Sequence, residues 1–366
     1  MMRILQVVTH MNRGGLETML MNYYRQIDHT KIQFDFLTHR KYDGDYGKEI
    51  KELGGKIYHL PVLNPFSRKY KNALHNFFLN HPEYEIIHVH QDCLSSIILK
   101  AAKKCNVKVR IAHSHCSSQD KDVKYPVKMY YQQFISKYAT ELMACGNNAG
   151  RWMFRGAPFK VLNNAIDAKR YIYNPDERIL QRQKWGIKPN EILVGHVGRF
   201  SPQKNHTFLI DIFEDIQSIA SAKLILIGDE KGKLADQVKE KVVKLGLQDK
   251  VIFAGLRSDV ADLMQAMDVF VFPSNYEGLP VTLVEAQAAG LPCLISDKVP
   301  IECKVTDLVR QLPLSDSAAT WANQAVNDAA IIREDTFEKI RQAGFDIVEN
   351  AMWLQNYYLR LGKEEE

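Results

Sequence analysis

The sequence predicts an α/β protein of two facing doubly wound domains, and three observations carry that expectation. Strand-like apolar runs alternate with helix-like amphipathic runs through both halves of the 366 residues, the order of a parallel sheet covered by helices on both faces. A punctuated stretch without strong periodicity, residues 163–190, separates the halves. Five loops with unusual residue combinations each follow a predicted strand, the edge on which such sheets bind ligands.

In the first half RILQVVTH precedes LETMLMNYYRQI, IQFDFLTH precedes DYGKEIKELG, and KIYHL precedes SRKYKNALHNFFLNH. EIIHVHQ, LSSIILKAAKKC, VKVRIAHSH, a helix over 124–139 and TELMACG continue the order. The second half repeats it with EILVGHVGRF, NHTFLIDIFEDIQSIA, AKLILIGD, KGKLADQVKEKVVKLGL, VIFAGL, VADLMQAM, DVFVFPS, a Glu-bearing helix and LPCLIS. Leu209, Ile212, Phe213 and Ile216 keep helical spacing. The expected division is 1–165 for the first domain, 166–190 for a linker, 191–340 for the second domain, and 341–366 for a long closing helix. Trp353, Tyr357 and Tyr358 would anchor that helix on the first domain, and its acidic tail would fray.

No apolar run approaches the roughly 18 residues that span a bilayer, and the opening MMRILQVVTHM is too short and polar for a signal peptide, so a cytoplasmic protein is expected. The six cysteines form no CxxC pair, which argues against a disulfide framework or a zinc finger. Residues 1–170 hold 26 Lys and Arg against 14 Asp and Glu, a balance of +12, whereas the remainder has 22 against 29, a balance of −7. A basic first half attracts nucleic acid, anionic lipid or phosphate-bearing substrates, and charge alone does not choose among them. The segment DKDVKYPVKMYYQQFISKY (120–138) admits peripheral contact with a membrane surface, against the plainer reading of a solvated helix over the core.

The chemistry concentrates in EGLPVTLVE (277–285), where two carboxylates bracket a Gly-Leu-Pro turn after the run DVFVFPS. Pro280 suits a first helical turn, and Gly278 lets a ligand approach the backbone. The N–H groups of Leu279 and its neighbours at a helix start suit a phosphate, and a carboxylate beside them suits a ligand that also offers hydroxyls, as a sugar nucleotide does. Glu277 would then meet the sugar. Glu285, roughly 8 to 9 Å along a helix starting near Leu279, would meet the ribose. The competing reading is a strand-loop-helix joint with two exposed acids.

In GRFSPQKNH (198–206), Arg199 and Lys204 flank a Ser-Pro turn, and two cations from one loop stabilise a diphosphate most strongly as a leaving sugar adds charge to it. Gly14 and Gly15 could bring backbone N–H groups to a phosphate or sugar, although a plain turn explains them as well. No GxGxxG or GxxxxGK[ST] occurs, which argues against an NAD enzyme and a P-loop ATPase. FAGLRSDV (253–260) can place Leu256 and Arg257 against a nucleobase, with Asp259 capping the next helix. His88 and His90, like His113 and His115, share a strand face and could form a metal site. Few acids flank them, so no metal is expected; His88 and His113 read as hydrogen-bonded structural groups and one strand-end His as functional.

These motifs together resemble the retaining nucleotide-sugar glycosyltransferases of family 4, with the GT-B fold of two facing Rossmann-like domains and a C-terminal helix that crosses back to the N-terminal domain. The resemblance rests on Glu-x7-Glu (Glu277, Glu285), GR-x4-K (Arg199, Lys204), the early GG turn, GLRSDV and the closing helix, and covers most of the chain. It is nearest to bacterial enzymes that build capsule, exopolysaccharide or other surface glycans. It implies an N-terminal acceptor-binding and a C-terminal donor-binding domain, a UDP-sugar donor, a lipid-linked or glycan acceptor, retained anomeric configuration, and neither metal nor nucleic-acid partner. Catalytic roles fall on His115, Arg199, Lys204 and Glu277. Donor contacts add Gly14, Gly15, Leu256, Arg257, Gly278, Leu279, Pro280 and Glu285, and acceptor contacts His113 and Asn147. Where the family usually reads Asn-Gly-Ile-Asp, this chain has Asn164, Ala165, Ile166 and Asp167. The readings left open beside transfer are another GT-B enzyme, such as a UDP-sugar 2-epimerase or a phosphorylase, and a non-catalytic sugar-nucleotide binding protein.

Overall fold

The computed structural model describes residues 1–116 and 122–363; the first two residues of the 120–138 segment and the acidic tail 364–366 lie outside them. Two units divide the chain: Met1–Ala165 with Asp346–Glu366, and Ile166–Phe345.

The first unit holds β1 (Met2–Val8), β2 (Ile32–Thr38), β3 (Ile57–His59), β4 (Ile86–Val89), β5 (Val109–Ser114), β6 (Glu141–Ala144) and β7 (Lys160–Val161), parallel throughout in the order 3-2-1-4-5-6-7. Its central strands are buried because helices cover both faces of a parallel sheet. All seven residues of β2 are buried, including Asp35, whose carboxylate takes Arg3 Nε and Nη2 at 2.5 Å each, the Tyr84 hydroxyl and the Lys56 N–H. That full set of donors offsets the cost of burying the charge.

The second unit holds β8 (Ile192–Val197), β9 (Ala222–Ile227), β10 (Val251–Gly255), β11 (Val269–Phe272), β12 (Cys293–Ser296) and β13 (Val309–Leu312), parallel in the order 10-9-8-11-12-13. In both sheets the winding reverses at the centre, between β1 and β4 and between β8 and β11. Loops that leave two such neighbouring strands diverge to opposite faces and open a crevice at the carboxyl edge.

The closing segment is not one long helix. A helix over Phe337–Gln342 ends where Gly344 takes φ +78°, and a second, Ile347–Leu361, starts at Asp346, whose side chain accepts from Val348 and Glu349 N–H. The glycine and the new cap break the periodicity that reads as continuous. The second helix packs on Gly15–Gln26 and buries Tyr357 and Tyr358, but Trp353 stacks on Tyr357 at the surface and stays 42% exposed. The expected helix over 124–139 is also two, Tyr125–Gln132 and Ile135–Tyr138.

Residues 166–190 are more structured than their sequence suggests. They contain a helix, Pro175–Lys184, capped by the Asn174 side chain. Arg178 and Arg182 bind the two oxygens of Asp268 at 2.5 and 2.9 Å, and Asp268 also accepts from Leu193 N–H, so this helix is held to the start of β8. Ala165, in the place of a glycine, is buried and avoids the left-handed region.

Candidate active site

The site in the second unit is assembled by the two loops that leave β8 and β11, the strands flanking its switch point. After β8 the chain passes Gly198 and Arg199, makes a tight turn over Pro202–Lys204, and enters the helix His206–Ile219 through Asn205 at φ +54°. Asn tolerates this left-handed position better than most residues. After β11 the chain runs through Ser274, Asn275 and Glu277 to the helix Val281–Ala288.

The loops clamp each other. Asn275 donates its backbone N–H to Gln203 O and its side-chain amide to Pro202 O, both at 2.7 Å. Lys204 Nζ donates to Glu277 Oε1 at 2.7 Å, while Gln203 Nε2 reaches Glu277 Oε2 at 3.0 Å. Lys204 also lies 4.4 Å from the centre of the Phe272 ring. Burial lowers the Lys204 pKa; Glu277 opposes that shift and the charge of Arg199 adds to it. Arg199 itself is exposed. The arrangement is a partly buried ammonium fixed by a carboxylate, with a second, solvent-facing cation close enough to be felt.

Neighbouring loops approach closely. A side chain at Gly228, directly after β9, would meet Gly198 O at 2.1 Å, so glycine is required where these backbones touch. After β10, Leu256 is 59% exposed and Arg257 binds Asp259 with two nitrogens at 2.7 and 2.5 Å. Asp259 therefore does not cap the following helix as its position suggests: its oxygens match the planar guanidinium fork.

At the Glu-bearing helix two details depart from expectation. Pro280 is the residue before the helix, at φ −73° and ψ 106°, and not within its first turn. Glu285 is drawn inward, where its Oε1 accepts from the Tyr171 hydroxyl at 2.7 Å. Burial raises the pKa of Glu285, against the lowering effects of the Tyr171 bond and Arg170.

In the first unit, Gly14 precedes the helix Gly15–Gln26, and a side chain there would meet Glu17 Oε2 at 2.4 Å. The Glu17 carboxylate thus lies over this helix start, with His10 Nδ1 3.2 Å from its Oε1. Asn147 opens the helix Asn147–Phe154 and is exposed. His113 and His115 belong to a cluster with His88 and His90 at the ends of β4 and β5. Gln203, Phe272 and Tyr171 escaped the sequence reading. Gln203 sits inside the singled-out loop, but Tyr171 meets Glu285 across 114 residues, and nothing local in the sequence pairs them.

Comparison with known proteins identifies the class. The family model "Glycosyl transferases group 1" matches residues 177–312. EpsF of Bacillus subtilis (strain 168), named as a glycosyltransferase, is 37% identical over 97% of this chain and 96% of its own length. The UDP-Gal:alpha-D-GlcNAc-diphosphoundecaprenol alpha-1,3-galactosyltransferase of Escherichia coli is 27% identical over 60% of this chain and 59% of that protein. Among solved structures, Anabaena HepE in complex with UDP and glucose superposes with a TM-score of 0.80 at 20% identity, covering 98% of this chain and all of that one. The chain belongs to the group 1 glycosyltransferases, family 4, and has their GT-B fold.

Proposed function

We propose that this glycosyltransferase moves a sugar from a UDP-sugar to a lipid-linked or glycan acceptor in surface polysaccharide synthesis, with retention of anomeric configuration. The observation that carries this reading is the Lys204–Glu277 pair, partly buried between the β8 and β11 loops at the switch point. The names of relatives support the chemistry: the Escherichia coli protein is named for a UDP-Gal donor and a diphosphoundecaprenol-linked acceptor, and CapH of Staphylococcus aureus for capsular polysaccharide biosynthesis.

In this reading Lys204 and Arg199 hold the diphosphate, and they matter most as the glycosyl bond breaks and charge gathers on the leaving oxygen. Glu277 fixes Lys204 and, with Gly278, Leu279 and Pro280 behind it, receives sugar and phosphate. Leu256 and Arg257 border the nucleobase and Glu285 the ribose. Gly14, Gly15, His113, His115 and Asn147 serve from the first, acceptor-binding domain. The acceptor hydroxyl attacks on the face from which UDP departs, and the leaving phosphate takes its proton, so the protein chiefly positions groups and stabilises charge.

A peripheral membrane contact fits the same acceptor. Lys71, Lys100, Lys104, Tyr130, Phe134 and Tyr138 help line a groove of about 560 Å³ in the first unit, with no carboxylate among its lining residues. No helix of the described residues is long and apolar enough to cross a membrane. Transfer is tested by UDP release from a panel of UDP-sugars: release stimulated by a lipid-linked glycan supports the reading, whereas isomerised sugar without transfer would sink it.

A further inference from the structure

The four imidazoles of the first unit form an ordered ladder. Residues i and i+2 of a strand share a face, so β4 and β5 set His88 beside His113 and His90 beside His115, with ring centres 5.1 and 5.0 Å apart. One row joins the Tyr358 hydroxyl to His88 Nδ1 at 2.6 Å and His88 Nε2 to His113 Nδ1 at 3.1 Å. The other joins Gln6 Oε1 to His90 Nε2 at 2.9 Å and His90 Nδ1 to His115 Nε2 at 2.8 Å. Gln6 Nε2 donates to the Tyr358 oxygen at 3.3 Å and ties the rows together. Burial pushes all four rings below the ordinary histidine range, His88 and His115 to about 3, so each is neutral at pH 7 and carries one ring proton.

The position of that proton follows from the anchor. Gln6 Nε2 donates to the Tyr358 oxygen, so the Tyr358 hydroxyl proton goes to its other partner, His88 Nδ1. His88 then donates from Nε2, and His113 accepts at Nδ1. The Tyr358 oxygen accepts the Gln6 N–H, which leaves the Gln6 carbonyl to accept from His90 Nε2. His90 Nδ1 is bare and accepts from His115 Nε2. All four rings carry the proton on Nε2, whereas a reversed Gln6 amide would move all four to Nδ1. The two ends of the ladder, His113 Nε2 and His115 Nδ1, are buried and have no hydrogen-bond partner among the described residues.

We propose that Gln6 is a positioning residue: through His90 it holds His115 with a bare, buried Nδ1 that is left to accept from a sugar hydroxyl once substrate uncovers it. A bare nitrogen accepts from a hydroxyl and repels the lone pairs of a phosphate, so the same device selects the class of group that His115 meets. This rests on the reading of His115 as a substrate-facing residue. A metal ion is the other occupant the cluster suggests, since nitrogens of His88, His90 and His113 lie within 4.8 Å of one another. Those rings already hydrogen-bond to one another, to Tyr358, to Gln6 and to His115, and a bound ion would have to displace these bonds.

The test uses the full chain labelled with [15N]histidine and long-range 1H–15N correlation at pH 7. The wild type should show His88, His90, His113 and His115 all protonated on Nε2. A proton on Nδ1 of any of them, or a stoichiometric metal in the purified protein, overturns the proposal. Gln6→Met should release His115 from a single tautomer and lower kcat by about tenfold, with KM for the donor within about twofold of wild type; an unchanged His115 signal overturns it. Full activity in His115→Ala would refute the substrate-facing reading and leave the tautomer result standing. The wild-type spectrum decides the matter even where a core variant fails to fold.

Discussion

Lys204 must be charged to hold a diphosphate, yet its burial favours the neutral amine. Its folded pKa is therefore lowered, and activity should fall with rising pH below the ordinary lysine value of about 10.4. Glu277 counteracts the burial, so Glu277→Gln should move this alkaline limb to lower pH, read from kcat against pH. A limb that stays in place would remove Glu277 as the partner that keeps Lys204 charged. Both residues were visible in the sequence as charges in loops after strands, because apolar runs mark the strands and polar residues the loops. Their pairing was not visible, since it depends on β11 lying beside β8 with three other strands' worth of alternatives. Gln6 was invisible altogether: one amide in an apolar strand leaves no trace in periodicity.

At the scale of elements, the β8 and β9 loops are packed backbone against backbone at Gly198 and Gly228. Gly228→Ala should separate them, destabilising the protein by about 1–3 kcal/mol and weakening UDP binding together with stability. Calorimetric unfolding and UDP titration of one sample check this, and an unchanged melting temperature would show that the loops can yield. Eleven of the thirteen strands among the described residues follow from the strand-like runs of the sequence. The two that did not, β7 and β13, are edge strands with polar residues and little burial to mark them. The Pro175–Lys184 helix was hidden for a related reason: Arg178 and Arg182 hold it through Asp268, and ion pairs do not write a hydrophobic period.

For the whole molecule, neutral histidines buried in both units tie stability to pH. His88 and His115 are held near 3, and His39 and His206 near 4, by burial. The unfolded chain binds these protons at about 6.5, so stability is complete above that value and is lost as pH falls toward 3 to 4. Acid unfolding followed by circular dichroism should begin well above the range in which carboxylates titrate; a plateau down to pH 4 would contradict the assignment. The groove of the first unit makes a separate claim. Binding to vesicles with anionic lipid should exceed binding to neutral vesicles, and Lys100→Glu with Lys104→Glu should abolish the difference. Equal binding to both kinds of vesicle would leave the groove without that role.

The central claim is that the cations of the β8 loop carry the departing diphosphate, and single-turnover UDP release by Lys204→Ala and Arg199→Ala measures it most directly. With circular dichroism showing an intact fold, each variant should release UDP more slowly than wild type by on the order of 10²-fold. Near-normal rates in both would contradict the account.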